Sequence, residues 1–165
     1  MTNIRRYYDN SFTYFVTNVT FQRQPILLDY ANLLKESIDK IKFDTGFDLI
    51  SWAILPEHFH MLIHPDKINI SLLMRRIKLS FSSRYRKILN MTSGQIWQNR
   101  FWDHVIRNQD DMNRHIDYIH YNPVKRGLVS RPSNFRYSSI HEYKGDYSDD
   151  WGIKEEIDTT GEYGE

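Results

Sequence analysis

Two histidines separated by one residue are the first side chains in this sequence that could do chemistry. His58 and His60 flank Phe59 in a short segment that follows a proline-containing turn. On a β-strand, alternate residues point to the same face roughly 7 Å apart, and two neutral imidazoles so placed can hold one divalent metal ion. Two histidines on a solvated strand face give the same pattern, so both interpretations remain open. His64 lies farther along that face, and we expect it to be structural or to support the pair.

A tyrosine and an asparagine four residues apart form a second candidate. At about 100° per residue in an α-helix, Asn122 lies about 40° from Tyr118. Ile116, Ile119 and His120 fall on a separate apolar stripe. His120 is therefore expected to be a buried, hydrogen-bonded core histidine. Tyr118 could equally be an ordinary aromatic residue at the edge of the core, and Asn122 an ordinary residue near a helix C-terminus.

A run of positive charge is the third candidate. The segment 75–87 has six basic residues and no acidic one: Arg75, Arg76, Lys78, Arg84, Arg86 and Lys87. A solvated helix face can be basic, but the absence of counter-charges favours a phosphate-bearing partner. Other basic residues extend the excess, and those that we expect to share in binding are Arg5, Arg6, Arg100, Lys125 and Arg126.

The net charge of +1 conceals an asymmetry along the chain. Residues 141–165 have nine acidic and two basic residues, a net charge of −7, whereas residues 1–140 have twenty basic and twelve acidic residues, a net charge of +8. We therefore expect a basic domain over residues 1–143 and an acidic, flexible tail over 144–165. The absence of cysteine excludes disulfides and thiolate zinc sites. No apolar run is long enough to span a membrane, so we expect a cytoplasmic protein.

Hydrophobic periodicity predicts the elements that would position these residues. Strands are expected over residues 11–21, 47–55, 57–64 and 96–106. Helices are expected from Pro25 to Gly46, over 71–90, and from an Asn108 N-cap to the residue before Pro123. The order is β-α-β-β-α-β with an added C-terminal helix, which predicts an α+β, ferredoxin-like antiparallel sheet. Many unrelated functions use this architecture, so function must be argued from the site.

Three segments together resemble the REP-associated tyrosine transposases, which are single-tyrosine transposases with a His-hydrophobic-His motif. The segments are Trp52 to His60 (WAILPEHFH), Ile96 to Arg107 (IWQNRFWDHVIR) and His115 to Val129 (HIDYIHYNPVKRGLV). The resemblance extends over about residues 5–143. It implies that the sheet is the palm of an HUH endonuclease and that the third helix is its catalytic helix.

The resemblance also implies roles for the candidate residues. His58, His60 and Asn122 correspond to metal ligands, and Tyr118 corresponds to the nucleophile. The implied activity is cleavage and rejoining of single-stranded hairpin DNA through a 5′-phosphotyrosine intermediate. The implied cofactor is Mg²⁺ or Mn²⁺, and the protein would act near the nucleoid as a monomer or a homodimer. The basic residues would then bind DNA. The resemblance does not extend to the acidic tail, which from its charge alone we expect to be disordered or to lie across the positive surface as a DNA mimic.

Two functions of other classes compete with this interpretation. One is a non-catalytic domain that binds single-stranded nucleic acid and has purely structural histidines. The other is a small metallohydrolase that uses His58, His60 and His64. The alignment of Tyr118 and Asn122 with the histidine pair discriminates among the three. A binding domain does not need that alignment, and a hydrolase would not form a stable tyrosyl adduct.

Overall fold

A four-stranded antiparallel sheet is the centre of the computed structural model, which describes residues 11–153 and 157–165. The strands are β1 (Tyr14–Val19), β2 (Asp48–Ile54), β3 (His58–His64) and β4 (Trp102–Val105). The helices are α1 (Ala31–Thr45), α2 (Ile70–Ile88) and α3 (Gln109–Lys125). The strand order is β2-β3-β1-β4, and each neighbouring pair is antiparallel. The structure thus confirms the predicted ferredoxin-like α+β fold.

The two central strands are buried on both faces, which explains their continuous apolar and aromatic sequences. Alternate residues of β1 enter different cores: Tyr14 and Val16 pack in the core that includes residues of α1 and α2, whereas Phe15 packs in the core that includes residues of α3. The same alternation on β3 sends Phe59 towards α1 and α2 and its neighbouring histidines towards α3. The sheet therefore separates a mainly apolar layer, in which Asn18 is a buried polar exception, from the layer that holds the candidate site.

The helix α1 begins later than its periodicity predicts. The predicted start is Pro25, but residues 21–30 form a short 3-10 turn and irregular backbone, and the helix begins at Ala31. Leu27 is nevertheless fully buried in the same core, so its apolar character reflects packing and not helical structure. The bounds of α2 agree with the prediction to within two residues. No helix in the described ranges is long and apolar enough to cross a membrane.

The strand β4 is much shorter than the predicted segment 96–106. Only Trp102–Val105 pairs with β1, and residue 97 makes a single isolated bridge with Thr20. The apolar residues before the strand are buried without a ladder. Trp97, for example, is 7% exposed and its Nε1 donates to Ser82 on α2, 3.0 Å away. The pattern therefore predicted the burial of the apolar residues in 96–101 correctly. They are buried because they pack against α2, and not because they pair in the sheet.

The helix α3 continues through Pro123, which corrects the prediction that it ends there. Proline lacks the N–H that would bond to residue 119, but the next turn is intact because Arg126 N donates to Asn122 O at 2.9 Å. The loss is confined to the last turn of the helix. As a result Lys125 is the last residue of the same helix as Tyr118, seven residues along, and thus on nearly the same face.

Candidate active site

The histidine pair lies on the face of the sheet that α3 covers. Both side chains are fully buried, and the Nε2 atoms of His58 and His60 are 3.1 Å apart. The Nδ1 atom of His58 lies 3.1 Å from Glu57 Oε1, and that of His60 lies 2.7 Å from Thr17 Oγ1. The two histidines are therefore not on a solvated strand face, because both rings are buried and their Nε2 atoms face one another.

The third helix brings Tyr118 and Asn122 to this pair. Both side chains are buried, and the rings of Tyr118 and His60 meet edge to face with centroids 5.6 Å apart. Tyr118 Oη and Asn122 Nδ2 both donate to one carboxylate oxygen, Glu165 Oε1. Tyr118 and Asn122 therefore share one helix face, as predicted, and this face is turned towards the sheet and Glu165.

Glu165 is the site residue that the sequence analysis missed. Its Oε1 atom lies 3.0 Å from His60 Nε2 and 3.9 Å from His58 Nε2, and its Oε2 atom accepts from Arg126 at 2.7 Å. The side chain is 13% exposed. It lies at the far end of the acidic segment, 105 residues from His60 in sequence, and no local pattern marks it.

Tyr163 fixes this terminal segment against the nucleophile candidate. Its ring stacks on that of Tyr118 with centroids 3.5 Å apart and an interplanar angle of 7°, and its carbonyl accepts from Thr17 Oγ1 at 2.6 Å. Gly164 then has a φ of +72°, and a Cβ atom there would overlap the Trp102 side chain. The last residues of the tail thus lie in the site, while the flexibility expected of the tail stays a prediction.

Burial and charge set the protonation states in the site. Burial, together with the hydrogen bond to Glu165, raises the pKa of Tyr118, so its hydroxyl is protonated at neutral pH. Burial lowers the pKa of His60 to about 4, partly opposed by Glu165. Burial acts to raise the pKa of Glu165, but the hydrogen bonds from His60 and Tyr118 leave it below its usual range. On the solvent side, Lys125 Nζ lies 3.3 Å from Tyr118 Oη.

The donor atoms in the site fit a divalent cation. His58, His60 and Glu165 each offer a ligand atom, and these atoms lie within 4.8 Å of one another. Asn122 Oδ1 is a buried acceptor that has no hydrogen-bond partner in the described parts of the chain. Imidazole nitrogens with amide and carboxylate oxygens form a donor set that suits Mn²⁺ and also accommodates Mg²⁺.

Two other histidines that the sequence analysis considered lie outside the site. His120 is fully buried and lies within hydrogen-bonding distance of Ser139 and Tyr147, and burial lowers its pKa to about 3. It is thus the core histidine that the helix periodicity predicts. His64 is at the end of β3, opposite Asp48, and belongs to no cluster of metal-ligating side chains among the described residues. The structure therefore does not bring His64 to the pair, as a three-histidine hydrolase would require.

The predicted basic residues are distributed over several surfaces. Arg5 and Arg6 lie outside the described residues. Arg75, Lys78 and Arg86 line a groove of about 640 Å³ between α2 and the segment 95–101, where none of the lining residues is acidic. Arg76, Lys87 and Arg100 are exposed.

The other predicted basic residues make ion pairs. Arg84 pairs with Glu36 of α1, while Lys125 and Arg126 lie beside Glu165 in the site. The structure thus separates the basic residues of the groove from those beside Tyr118.

Comparisons with known proteins agree with this geometry. Residues 9–122 match the family model described as IS200-like transposase. A REP-associated tyrosine transposase of Escherichia coli strain K12 is 36% identical over 160 residues, which cover 92% of this chain and 91% of that protein. A solved structure of a REP-associated tyrosine transposase bound to a REP hairpin has a TM-score of 0.77 and 34% identity, covering 99% of this chain and 93% of that one. The chain belongs to the IS200-like transposase family and, within it, to the REP-associated tyrosine transposases.

Proposed function

We propose that this protein binds single-stranded hairpin DNA of the REP type and cleaves it through a 5′-phosphotyrosine intermediate. The observation that carries the proposal is the meeting of Tyr118 with His58 and His60 in one buried site. The resemblance over the whole chain to a transposase described as bound to a REP hairpin supports the choice of DNA. The protein acts near the nucleoid, as a monomer or a homodimer.

Tyr118 is the nucleophile in this proposal. Its Oη atom forms a bond to the scissile phosphorus as the bond from phosphorus to the 3′ oxygen breaks. The phenolic proton is lost, and the departing oxygen takes up a proton to become a 3′-hydroxyl. The 5′ phosphate stays on the tyrosine as a phosphodiester, so attack by a 3′-hydroxyl can rejoin the strand without external energy.

His58, His60 and Asn122 hold the divalent cation, Mg²⁺ or Mn²⁺. A cation held there would supply positive charge that offsets the negative charge developing on the scissile phosphate in the transition state. Lys125 favours the phenolate form of Tyr118, because its ammonium group lies 3.3 Å from the hydroxyl. Glu165 must move away from Tyr118 before the reaction, since its carboxylate bonds to the same hydroxyl and would repel the phosphate.

The basic residues bind the DNA backbone. This group comprises Arg5, Arg6, Arg75, Arg76, Lys78, Arg84, Arg86, Lys87, Arg100, Lys125 and Arg126. The groove beside α2 supports the assignment, since three of these side chains line it without an acidic neighbour in its lining. Phosphate contacts of this kind position a nucleic acid and make its binding dependent on salt.

Covalent adduct formation tests the proposal. Purified protein is mixed with a labelled single-stranded hairpin oligonucleotide from its own genomic flanks and with Mn²⁺ or Mg²⁺, and the products are separated on a denaturing gel. The wild-type protein should give a protein–DNA band that Tyr118→Phe lacks. Tyr121→Phe on the same helix is the matched control and should retain the band. A wild-type protein without an adduct, or an adduct with Tyr118→Phe, would contradict the proposal.

A further inference from the structure

Each of the two metal-site histidines makes a hydrogen bond through its Nδ1 atom to a side chain that is not itself a predicted ligand. Glu57 Oε1 lies 3.1 Å from His58 Nδ1, and Thr17 Oγ1 lies 2.7 Å from His60 Nδ1. We propose that Glu57 and Thr17 are positioning residues that fix both imidazoles as Nδ1–H tautomers, so that both Nε2 lone pairs face the metal position. The inference rests on the metal site proposed above and assigns the residues that set its geometry.

Glu57 determines which nitrogen of His58 has the proton. Glu57 lies beside two arginines, which favour its ionised form, and a carboxylate can only accept. The Nδ1 atom of His58 must therefore donate, and Nε2 of the neutral ring keeps its lone pair. Two arginines hold the carboxylate in place, with Arg126 at 3.7 Å and Arg23 at 3.8 Å from Glu57 Oε1.

Thr17 determines the tautomer of His60 by a different route. Its hydroxyl has one proton, which it donates to the Tyr163 carbonyl at 2.6 Å, an atom that can only accept. The same oxygen must therefore accept the Nδ1–H of His60. Thr17 and His60 are directly opposite each other on β1 and β3, and both are fully buried. The sheet register thus places the hydroxyl where it fixes the imidazole.

When a cation takes the place of the proton that His60 Nε2 otherwise shares with Glu165, the combined effect is a set of acceptors with no donor among them. The two Nε2 atoms are 3.1 Å apart, and Glu165 Oε1 is 3.0 Å from that of His60. The other tautomer of either ring would direct an N–H at the cation and remove one ligand. A hydrogen bond to the distal nitrogen also raises the basicity of a ligating imidazole, and removal of such a partner typically costs about 10- to 100-fold in metal affinity.

Mn²⁺ binding to the full-length protein, measured without DNA by electron paramagnetic resonance of the free ion, tests the proposal. Glu57→Ala and Thr17→Val should each weaken binding by about 10- to 100-fold. Thr17→Ser should bind like the wild type, because it keeps the hydroxyl. Glu57→Gln should fall between the wild type and Glu57→Ala, because its amide oxygen still accepts. Glu36→Gln, an exposed carboxylate change on α1, is the matched control and should have no effect.

Nitrogen-15 NMR of the metal-free Glu165→Ala variant, which lacks the acceptor 3.0 Å from His60 Nε2, provides a readout that a general decrease in stability would not change. In that background both rings should show the Nδ1–H tautomer, and the added change Glu57→Ala or Thr17→Val should give a mixture at the affected ring alone. Unchanged tautomers, together with unchanged Mn²⁺ affinity in these variants, would overturn the positioning role. If the wild type binds no Mn²⁺, or His60→Ala binds it equally well, the proposed metal site is wrong, while the tautomers still decide the role of Glu57 and Thr17.

Discussion

The reactivity of Tyr118 depends on which charged side chain lies against its hydroxyl. Lys125 is on one side at 3.3 Å, and the Glu165 carboxylate accepts the hydroxyl proton on the other. The first contact favours the phenolate and the second favours the phenol, and burial adds to the second by raising the pKa of Tyr118. Lys125 and Glu165 therefore have opposite effects on the ionisation of the Tyr118 hydroxyl.

Lys125→Ala should slow formation of the covalent adduct by about 10- to 100-fold, because a hydrogen bond to a charged group contributes about 1.5–3 kcal/mol. The rate is measured in single-turnover assays at saturating DNA, which separates a chemical effect from weaker binding. Lys40→Ala, a change of the same type at an exposed position on α1, should leave the rate unchanged. Equal rates for Lys125→Ala and the wild type would show that the ammonium group does not act on Tyr118.

The helix α3 places residues 118, 122 and 125 on one face, because their spacing matches the helical period. Its position depends on its first turn. Asn108 caps the helix by accepting from Asp111 N at 2.9 Å, and the Asp111 carboxylate accepts from Arg107 N at 3.0 Å. His104 of β4 lies 2.9 Å from the same carboxylate. The start of α3 is thus fixed to the edge of the sheet.

Removal of the α3 cap in Asn108→Ala should lower the free energy of unfolding by about 1 kcal/mol, as is usual when an N-cap side chain is removed. Urea denaturation followed by circular dichroism measures the change. Asn69→Ala removes the equivalent cap of α2, which accepts from Ser71 N at 2.9 Å, and should cost about the same. An unchanged stability in Asn108→Ala would mean that water replaces the cap without penalty.

The helix α2 should bind DNA mainly through the side chains of the groove. The double variant Arg75→Ala/Arg86→Ala should weaken binding of the single-stranded hairpin and flatten the plot of log affinity against log salt by about 1.4, at roughly 0.7 for each phosphate that is no longer neutralised. Fluorescence anisotropy at several salt concentrations provides the measurement. Arg84→Ala should have a smaller effect, because this side chain pairs with Glu36. An unchanged slope in the double variant would show that the groove does not bind phosphate.

Over the whole molecule, the opposite charges of the two chain segments meet at the active site. The acidic segment ends in Glu165, whose carboxylate contacts Arg126 at 2.7 Å and bonds to Tyr118. In the proposed mechanism a scissile phosphate needs these same partners, so DNA and the segment 163–165 cannot both occupy them. The two binding events are therefore expected to compete.

Deletion of residues 157–165 should raise both the rate of adduct formation and the affinity for non-cognate single strands, because the competing carboxylate is removed. Glu165→Gln should reproduce most of the increase in rate. Asp149→Asn makes the same change of charge at an exposed position of the acidic segment away from Tyr118 and serves as the matched control. If the deletion and Glu165→Gln both behave like the wild type, the terminal segment does not compete with DNA.

The sequence by itself determined the element order, the alternation that aligns His58 with His60, and the shared helix face of Tyr118 and Asn122. These features follow from the periods of strands and helices, which depend only on neighbouring residues. It also located the basic segment on α2, although it could not separate the arginines of the groove from Arg84.

Only the tertiary structure decided which residues complete the site. Thr17 donates to the carbonyl of Tyr163, which is 146 residues away in sequence, and Tyr118 donates to Glu165, which is 47 residues away. Both hydrogen bonds lie beside the stacked rings of Tyr118 and Tyr163. The short β4 and the continuation of α3 through Pro123 depend likewise on packing and on bonds in the next turn. Such contacts have no period in the sequence, because they arise where the folded chain brings distant segments together.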